Sequence, residues 1–157
     1  MVYAIAVIVF CIDQFLKWVI RTHMFIGESI PVFPPNLYIT YIRNAGGAFS
    51  IFPNQRWLFI LVAIIVISAV LVVNRKWKPS LMGKIGLGLL LGGALGNMSD
   101  RLFMKTVVDY VYLKSIHFAI FNAADVAIDA GVILLIFYSF WSDRKTKAVE
   151  SKEDVHS

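Results

Sequence analysis

Apolar residues are concentrated in four long windows separated by shorter polar stretches. The windows cover approximately residues 2–21, 57–74, 81–103 and 118–141. The hydrocarbon core of a bilayer is about 30 Å thick, and a helix of about 20 apolar residues crosses it. The pattern predicts an all-α membrane protein, a bundle of four transmembrane helices in which the whole chain, 1–157, forms one domain.

The longest stretch between two windows, approximately residues 23–56, is predicted to be β-rich. It contains NLYITYIR, in which β-branched and aromatic residues alternate with others. A glycine pair follows in AGGAFSIF and permits a tight bend. We expect a small hairpin or curved sheet that lies on the membrane surface.

The basic residues predict the orientation of the helices. Many of them lie in NRKWKPS, between the second and third windows, and in the tail 142–157. Because cytoplasmic loops are enriched in Lys and Arg, both termini are predicted to be cytoplasmic and residues 23–56 to lie on the outer face. The net charge of +5 is then a topology signal, so we expect no nucleic-acid partner. The charged tail is predicted to be solvated and to lack regular structure.

Composition narrows the class further. Hydrophobic residues make up 59% of the chain, above the value of about half that is typical of soluble domains. The single cysteine, Cys11, excludes an intramolecular disulfide. In the third window Gly88, Gly92 and Gly96 recur every four residues, which predicts a face packed closely against another helix.

Polar side chains inside the windows are the candidates for chemistry. Because successive helices cross in opposite directions, we expect these residues to meet in the outer half of the membrane and to line a polar cavity open to the outer side. They are Asp13, Lys17, Asn97, Asp100, Arg101, Asp125 and Asp129.

Some of these residues have a simple structural interpretation. Asp13 and Lys17 are spaced i, i+4 and could pair with each other, and Asp100 could join an interhelical ion pair. We interpret all three as structural. Arg101 could join an ion pair or could bind carbonyl or carboxylate groups of a ligand with its several donors.

The sequence lacks the usual motifs of several enzyme classes. It has no HExxH, no GxSxG and no phosphate-binding glycine loop, so we expect no metal and no cofactor. Paired carboxylates remain, and two facing aspartates that share a proton can hydrolyse an amide. Asp125 and Asp129 project from one face of one helix and are poorly placed to flank a substrate.

Asp109 is the better partner for Asp125. It lies in the apolar stretch VVDYV, where desolvation should raise its pKa, and the segment that carries it returns to the head of the fourth helix. The residues alone still leave two rival functions open. One is a small proton-coupled transporter that uses Asp13, Asp125 and Asp129 as a relay, and the other is a structural membrane subunit.

Five motifs together resemble the lipoprotein signal peptidases, the type II signal peptidases of bacteria. They are DQFLK at 13–17, NAGGAF at 44–49, GGALGNMSDRL at 92–102, VVDYV at 107–111 and FNAAD at 121–125. The resemblance implies four transmembrane helices with a small extracytoplasmic β-cradle in the bacterial plasma membrane. It also implies an aspartyl peptidase that removes the signal peptide of a prolipoprotein before a diacylglyceryl-modified cysteine.

The resemblance also implies roles for individual residues. Asp109 and Asp125 match the catalytic pair. Asn44, Asn97, Arg101 and Asn122 match polar positions of the substrate cleft, where the antibiotic globomycin also binds. Membrane lipid and the lipidated precursor are the implied partners of a protein that we expect to be a monomer. Asp129 lies outside these motifs, and its role is not predicted.

Overall fold

The computed structural model describes residues 1–47, 51–76 and 79–153. These residues form four helices: α1 (Val2–His23), α2 (Arg56–Lys76), α3 (Leu81–Met104) and α4 (Ala123–Glu153). Three strands accompany them: β1 (Ser29–Phe33), β2 (Leu37–Asn44) and β3 (Val107–Leu113). By length and composition, α1, α2, α3 and residues 123–140 of α4 can each cross a membrane. The predicted four-helix bundle with a small sheet is therefore confirmed.

The predicted bounds of the fourth helix were wrong at both ends. Its first turn starts at Ala123 and not at 118, because the backbone of Phe121 pairs with that of Val111 and cannot be helical. The helix also continues to Glu153, so most of the predicted tail 142–157 is helical. That segment contains Lys, Glu and Ala, which have high helix propensity. Residues 154–157 of the predicted tail lie outside the described residues.

Helix α3 lies at the centre of the bundle, and glycines on two of its faces allow close packing. A Cβ on Gly88 or Gly92 would collide with side chain or backbone of α1. A Cβ on Gly93 would collide with the backbone of α4 at Ala124. The predicted glycine face is thus packed against α1. A second glycine contact brings α4 equally close to α3, so that α1 and α4 both pack against the central helix.

Large apolar side chains cover the outside of the bundle. Phe15 is 60% exposed, Ile65 is 59% exposed and Phe137 is 61% exposed. Exposed apolar surface of this extent is expected of helices that face lipid. Three charged residues of α1 and α3 instead lie inside: Asp13, Lys17 and Asp100 are almost fully buried.

The three strands form one antiparallel sheet in the order β1-β2-β3 at one end of the bundle, which we call the sheet end. Strand β2 is the predicted NLYITYIR segment. Strand β3 comes from the connection between α3 and α4 and was not predicted. The predicted bend in AGGAFSIF includes residues 48–50, which lie outside the described residues.

The end of β3 leads the chain back to the start of α4. Tyr110 N and Val111 N both donate to Phe121 O, at 3.0 and 2.8 Å, and Phe121 N donates to Val111 O at 3.1 Å. These bonds fix Asn122, the residue that precedes α4, beside the strand that carries Asp109.

Candidate active site

A cavity of about 580 Å³ reaches from the sheet end along one side of α4. Its polar lining near the sheet end comes from Asn44, Asn97, Arg101, Asp109 and Asp125. Of the residues predicted to meet in one cavity, Asn97, Arg101, Asp125 and Asp129 line it, whereas Asp13, Lys17 and Asp100 do not.

Asp109 lies on β3 and is only 2% exposed. It faces Ile42 in the register of the sheet, and Asn44 is its diagonal neighbour on the same face. Asn44 Nδ2 donates to Asp109 Oδ2 at 2.9 Å, and Asn122 Nδ2 donates to Asp109 Oδ1 at 2.7 Å. Burial and, secondly, the charge of Asp125 raise the pKa of Asp109 to about 6, although the two amide donors act in the opposite direction.

Asp125 lies in the first turn of α4, where it forms a reciprocal capping arrangement with Asn122. Asn122 Oδ1 accepts from Asp125 N at 3.0 Å, and Asp125 Oδ2 accepts from Asn122 N at 3.1 Å. This is the capping box that satisfies donors at a helix start. The other carboxylate oxygen of Asp125, Oδ1, accepts from Asn97 Nδ2 at 2.7 Å. The capping box and Asn97 together hold the carboxylate in one orientation.

Asn122 connects the two carboxylates and does not contact the cavity itself. Its side chain is fully buried, and Nδ2 donates to Asn97 Oδ1 as well as to Asp109. In the structure its amide donors and its carbonyl acceptor are used within the protein, and it is not among the residues that line the cavity, so the predicted contact of Asn122 with the substrate stays a prediction. Its place is behind the pair Asp109 and Asp125.

Asp13, Lys17 and Asp100 form a buried ion cluster beside the cavity. Lys17 Nζ lies 2.9 Å from Asp13 Oδ2 and 3.0 Å from Asp100 Oδ2. The remaining carboxylate oxygens also have partners: Ala124 N donates to Asp13 Oδ1 at 3.0 Å, and Gln14 Nε2 donates to Asp100 Oδ1 at 3.1 Å. The predicted pairing within α1 and from α1 to α3 is confirmed.

The ion cluster contacts the candidate catalytic residues through Asn97. Lys17 Nζ donates to Asn97 Oδ1 at 3.0 Å, on the side of the amide opposite to Asp125. Asp100 in addition accepts from Val108 N at 3.2 Å and so fixes β3 one residue before Asp109. The structural residues therefore position both carboxylates.

Arg101 lies at the rim of the cavity, held by backbone and by an aromatic ring. It donates to Gly46 O at 2.9 Å and to Asn97 O at 3.4 Å, and its guanidinium lies 4.7 Å from the ring centroid of Phe59. A guanidinium has five donors, so several remain for a ligand. Arg101 is thus the predicted binding residue that stays accessible with unused donors.

Asp129 lies in the same cavity, one helical turn beyond Asp125. It is exposed, and it has no hydrogen bond and no ion pair with any residue that the structure describes. The structure therefore separates Asp129 from the connected network of the other carboxylates.

Three contributors to this arrangement were not predicted. Gln14 joins Asp13 to Asp100, Tyr110 Oη accepts from Ala123 N at 3.2 Å, and Gly46 O holds Arg101. The spacing of Asn122 and Asp125 before an apolar run is a capping-box signal and could have revealed the role of Asn122. Gln14 also had a signal, as an amide in the middle of a transmembrane window.

The arrangement suits acid–base chemistry on a substrate in the cavity. Two carboxylates from separate elements line one cavity, and with a pKa raised to about 6 Asp109 can hold a proton at mildly acidic pH. Each carboxylate oxygen has one protein donor and can still accept from a water. In the described part of the chain, no three His, Cys, Asp or Glu side chains are grouped as metal ligands.

Comparison with known proteins identifies the family. The model of the family described as signal peptidase (SPase) II matches residues 5–141. The lipoprotein signal peptidase of Geobacillus kaustophilus is 45% identical over 142 residues, which cover 88% of this chain and 92% of the relative. The lipoprotein signal peptidase of Listeria monocytogenes serotype 4a is 40% identical over 151 residues, 94% of this chain and 98% of the relative.

Solved structures show the same architecture. A structure described as a bacterial membrane enzyme at 2.3 Å resolution has a TM-score of 0.85 and 36% identity, and covers 93% of this chain and 90% of its own. A second bacterial membrane enzyme, at 1.9 Å, has a TM-score of 0.79 and 37% identity over 87% of this chain and 90% of its own. The chain is therefore a multi-pass membrane peptidase that belongs to the signal peptidase II family.

Proposed function

We propose that this protein is an aspartyl endopeptidase that removes the signal peptide of diacylglyceryl-modified prolipoproteins. The bond it cuts is the one before the lipidated cysteine. The observation that carries the mechanism is that Asp109 and Asp125 line one cavity from two different elements and are connected through Asn122. The substrate follows from the names of the relatives, which are lipoprotein signal peptidases.

The reaction uses one proton shared by the two aspartates. The ionised carboxylate removes a proton from water, and the water oxygen attacks the carbonyl carbon while the protonated carboxyl donates its proton to the carbonyl oxygen. The resulting gem-diol then collapses: the C–N bond breaks, the amine nitrogen takes the proton that came from water, and the other carboxylate recovers its proton from the diol. The cysteine amine and the signal-peptide carboxyl are the products.

The remaining polar residues divide into two roles. Asn44, Asn97 and Asn122 position the carboxylates, since their amides already donate to Asp109 or Asp125. Arg101 binds the substrate backbone with its unused donors. Asp13, Lys17 and Asp100 keep α1, α3 and the first turn of α4 in register.

The substrate's lipid anchor explains the depth of the site. Asp125 is in the first turn of α4, so the cavity begins at the membrane surface and continues into the bilayer as far as Ile133. A diacylglyceryl group can remain in the lipid while the adjacent peptide bond reaches the carboxylates. We place the sheet end on the outer face of the bacterial plasma membrane and both termini in the cytoplasm, because the Lys- and Arg-rich segments lie at the other end of the helices. We propose a monomer, since one chain supplies both carboxylates.

A transporter is the weaker candidate. A proton-coupled transporter would use Asp13, Asp125 and Asp129 as its proton relay. Asp13 is instead held in the ion cluster by Lys17 and by Ala124 N. Near the opposite end, a second cavity of about 460 Å³ has Tyr138 and Ser139 as its polar side chains, and its other lining residues are apolar. The residues that line this second cavity therefore include no acidic group that could pass a proton on.

The test is cleavage of a purified diacylglyceryl-modified precursor in detergent or liposomes. Asp109→Asn and Asp125→Asn should each lower the rate by about 10³-fold or more, since each removes one half of the acid–base pair. Glu28→Gln is the matched control, because Glu28 contacts Phe25 N in the segment after α1 and does not line the cavity. Full activity in either aspartate variant would refute the aspartyl mechanism.

The substrate requirement is tested with the same precursor without its diacylglyceryl group. This peptide should be cleaved much more slowly, because its scissile bond is not held at the membrane surface. Equal rates for the two precursors would refute the role of the lipid anchor.

A further inference from the structure

Asp129 is the carboxylate of the cavity that the proposed mechanism does not use. It lies four residues after Asp125 on the same helix, about 6 Å further from the sheet end at a rise of 1.5 Å per residue. It lines the cavity and is exposed to it. Lys17 is bonded to Asp13 and Asp100, and in the described part of the chain no ion pair joins Asp129 to Arg101.

The surroundings of Asp129 are apolar. The cavity wall on the same face of α4 is formed by Val126, Ala130 and Ile133, and Val126 and Ile133 are 53% and 52% exposed. An ionisable side chain in a membrane span normally pairs with another group of the protein or faces a polar path. The described part of the chain supplies no such partner to Asp129, which points to a partner on the substrate.

The geometry of cleavage determines which part of the substrate reaches this position. In the proposed mechanism the scissile bond lies between Asp109 and Asp125, and the apolar signal peptide would continue from it into the bilayer, away from the sheet end. A distance of about 6 Å corresponds to two residues of extended chain or four of helix. Asp129 therefore faces the second to fourth residues before the scissile bond.

We infer that Asp129 is a specificity-determining residue that hydrogen-bonds a side-chain hydroxyl, from Ser or Thr, at one of these three positions. The inference rests on the proposed function. A hydroxyl fits the site because it donates to a carboxylate and also accepts from a carboxylic acid, so the bond forms in either protonation state of Asp129. A Lys or Arg at these positions is disfavoured, since it would carry its charge into the membrane.

The experiment measures kcat/KM for matched diacylglyceryl-modified precursors that carry Ala, Ser or Val at the second, third or fourth position before the cysteine. With the unmodified enzyme, Ser at one of these positions should be preferred to Ala by about tenfold, as expected for a side-chain hydrogen bond to a carboxyl group. In Asp129→Val the ratio should fall to about one. Val126→Ala, which changes the cavity wall without removing a polar group, should keep the preference. Each ratio is taken within one enzyme, so a general loss of activity cancels.

The outcomes separate this inference from the proposed function. Failure of the unmodified enzyme to cleave any of the lipidated precursors overturns both. Cleavage of all precursors with equal Ser and Ala rates at the three positions overturns the inference alone, and so does a preference that Asp129→Val retains. If Asp129→Val is unstable in detergent, Asp129→Leu measured in liposomes gives the same comparison.

Discussion

Lys17 determines the orientation of the Asn97 amide. The ammonium group has donors only, and Lys17 Nζ lies 3.0 Å from Asn97 Oδ1, so the amide oxygen must face α1. Asn97 Nδ2 is thereby directed at Asp125 Oδ1, 2.7 Å away. A buried ion cluster between α1 and α3 thus positions a carboxylate on α4.

Removing the central cation should unfold the site. Lys17→Met leaves Asp13 and Asp100 as two uncompensated buried carboxylates, and breaking a buried pair in this way costs about 3–5 kcal/mol. We expect a large fall in thermal stability in detergent together with loss of cleavage. Lys76→Met, at an exposed position near the end of α2, is the matched control. A stability equal to that of the control would mean that the cluster does not hold the helices.

Loss of the Asn97 amide should affect activity more than folding. In Asn97→Leu, Lys17 keeps both carboxylate partners, but Asp125 loses a donor and its fixed orientation. Misplacement of a catalytic group by about 1 Å can lower a rate roughly 100-fold, so we expect a fall in kcat of that order. The neighbouring volume-conserving change Met98→Leu should leave kcat nearly unchanged. A fall in Asn97→Leu that is explained entirely by unfolded protein, measured by size exclusion, would contradict the positioning role.

The pH profile should report the pKa of Asp109. Because the pair needs one proton, kcat/KM should decrease on the alkaline side as Asp109, with a pKa of about 6, becomes ionised. Asn44 donates to the ionised form of Asp109 and so lowers the pKa of this carboxyl. Asn44→Ala should therefore lower the rate and also move the alkaline limb of the kcat/KM profile to higher pH.

The control for this shift is Thr40→Val on the same strand, since Thr40 contacts Ser29 and not Asp109. Its profile should coincide with that of the unmodified enzyme. A limb that moves to lower pH in Asn44→Ala would show that the titrating group is not stabilised by Asn44 in its ionised form.

Close packing of α1 against α3 should not tolerate a side chain at Gly92. A Cβ there would lie 2.7 Å from both Ala6 O and Val9 Cβ. Gly92→Leu should therefore separate the two helices and lower thermal stability sharply, by more than the 1–3 kcal/mol that is common for overpacking. Ala4→Leu, on an exposed position of α1, adds the same bulk toward lipid and should have little effect. Similar melting temperatures for both variants would contradict this packing.

The sequence was sufficient for features that depend on local spacing. Four apolar windows predicted the helices, the i, i+4 spacing predicted the pair of Asp13 with Lys17, and the glycine period predicted the contact of α3. Strand β3 was missed because its partner β2 lies more than sixty residues earlier in the chain, and pairing over that separation leaves no local pattern. The start of α4 was placed too early because the apolar residues before it resemble the helix in composition, whereas the backbone of Phe121 pairs with that of Val111.

The candidate site was predictable as a set of residues but not as a network. The resemblance selected Asn122 as a cleft residue, whereas the structure uses each polar group of its side chain inside the protein. Which amide faces the cavity and which lies behind it depends on packing among four elements. Sequence spacing does not contain that information.

Tyr110 offers a direct test of how the start of α4 is held. Its hydroxyl oxygen accepts from Ala123 N, one of the helix-start donors without an intrahelical partner, and burial raises its pKa to about 12, so the phenol stays neutral at any working pH. Tyr110→Phe should leave this donor unsatisfied and lower stability by about 1–3 kcal/mol. Because Ala123 lies between Asn122 and Asp125, kcat should also fall. Tyr112→Phe on the same strand removes a hydroxyl for which the described residues provide no hydrogen bond, so an equal loss in that variant would contradict a role for the Tyr110 bond.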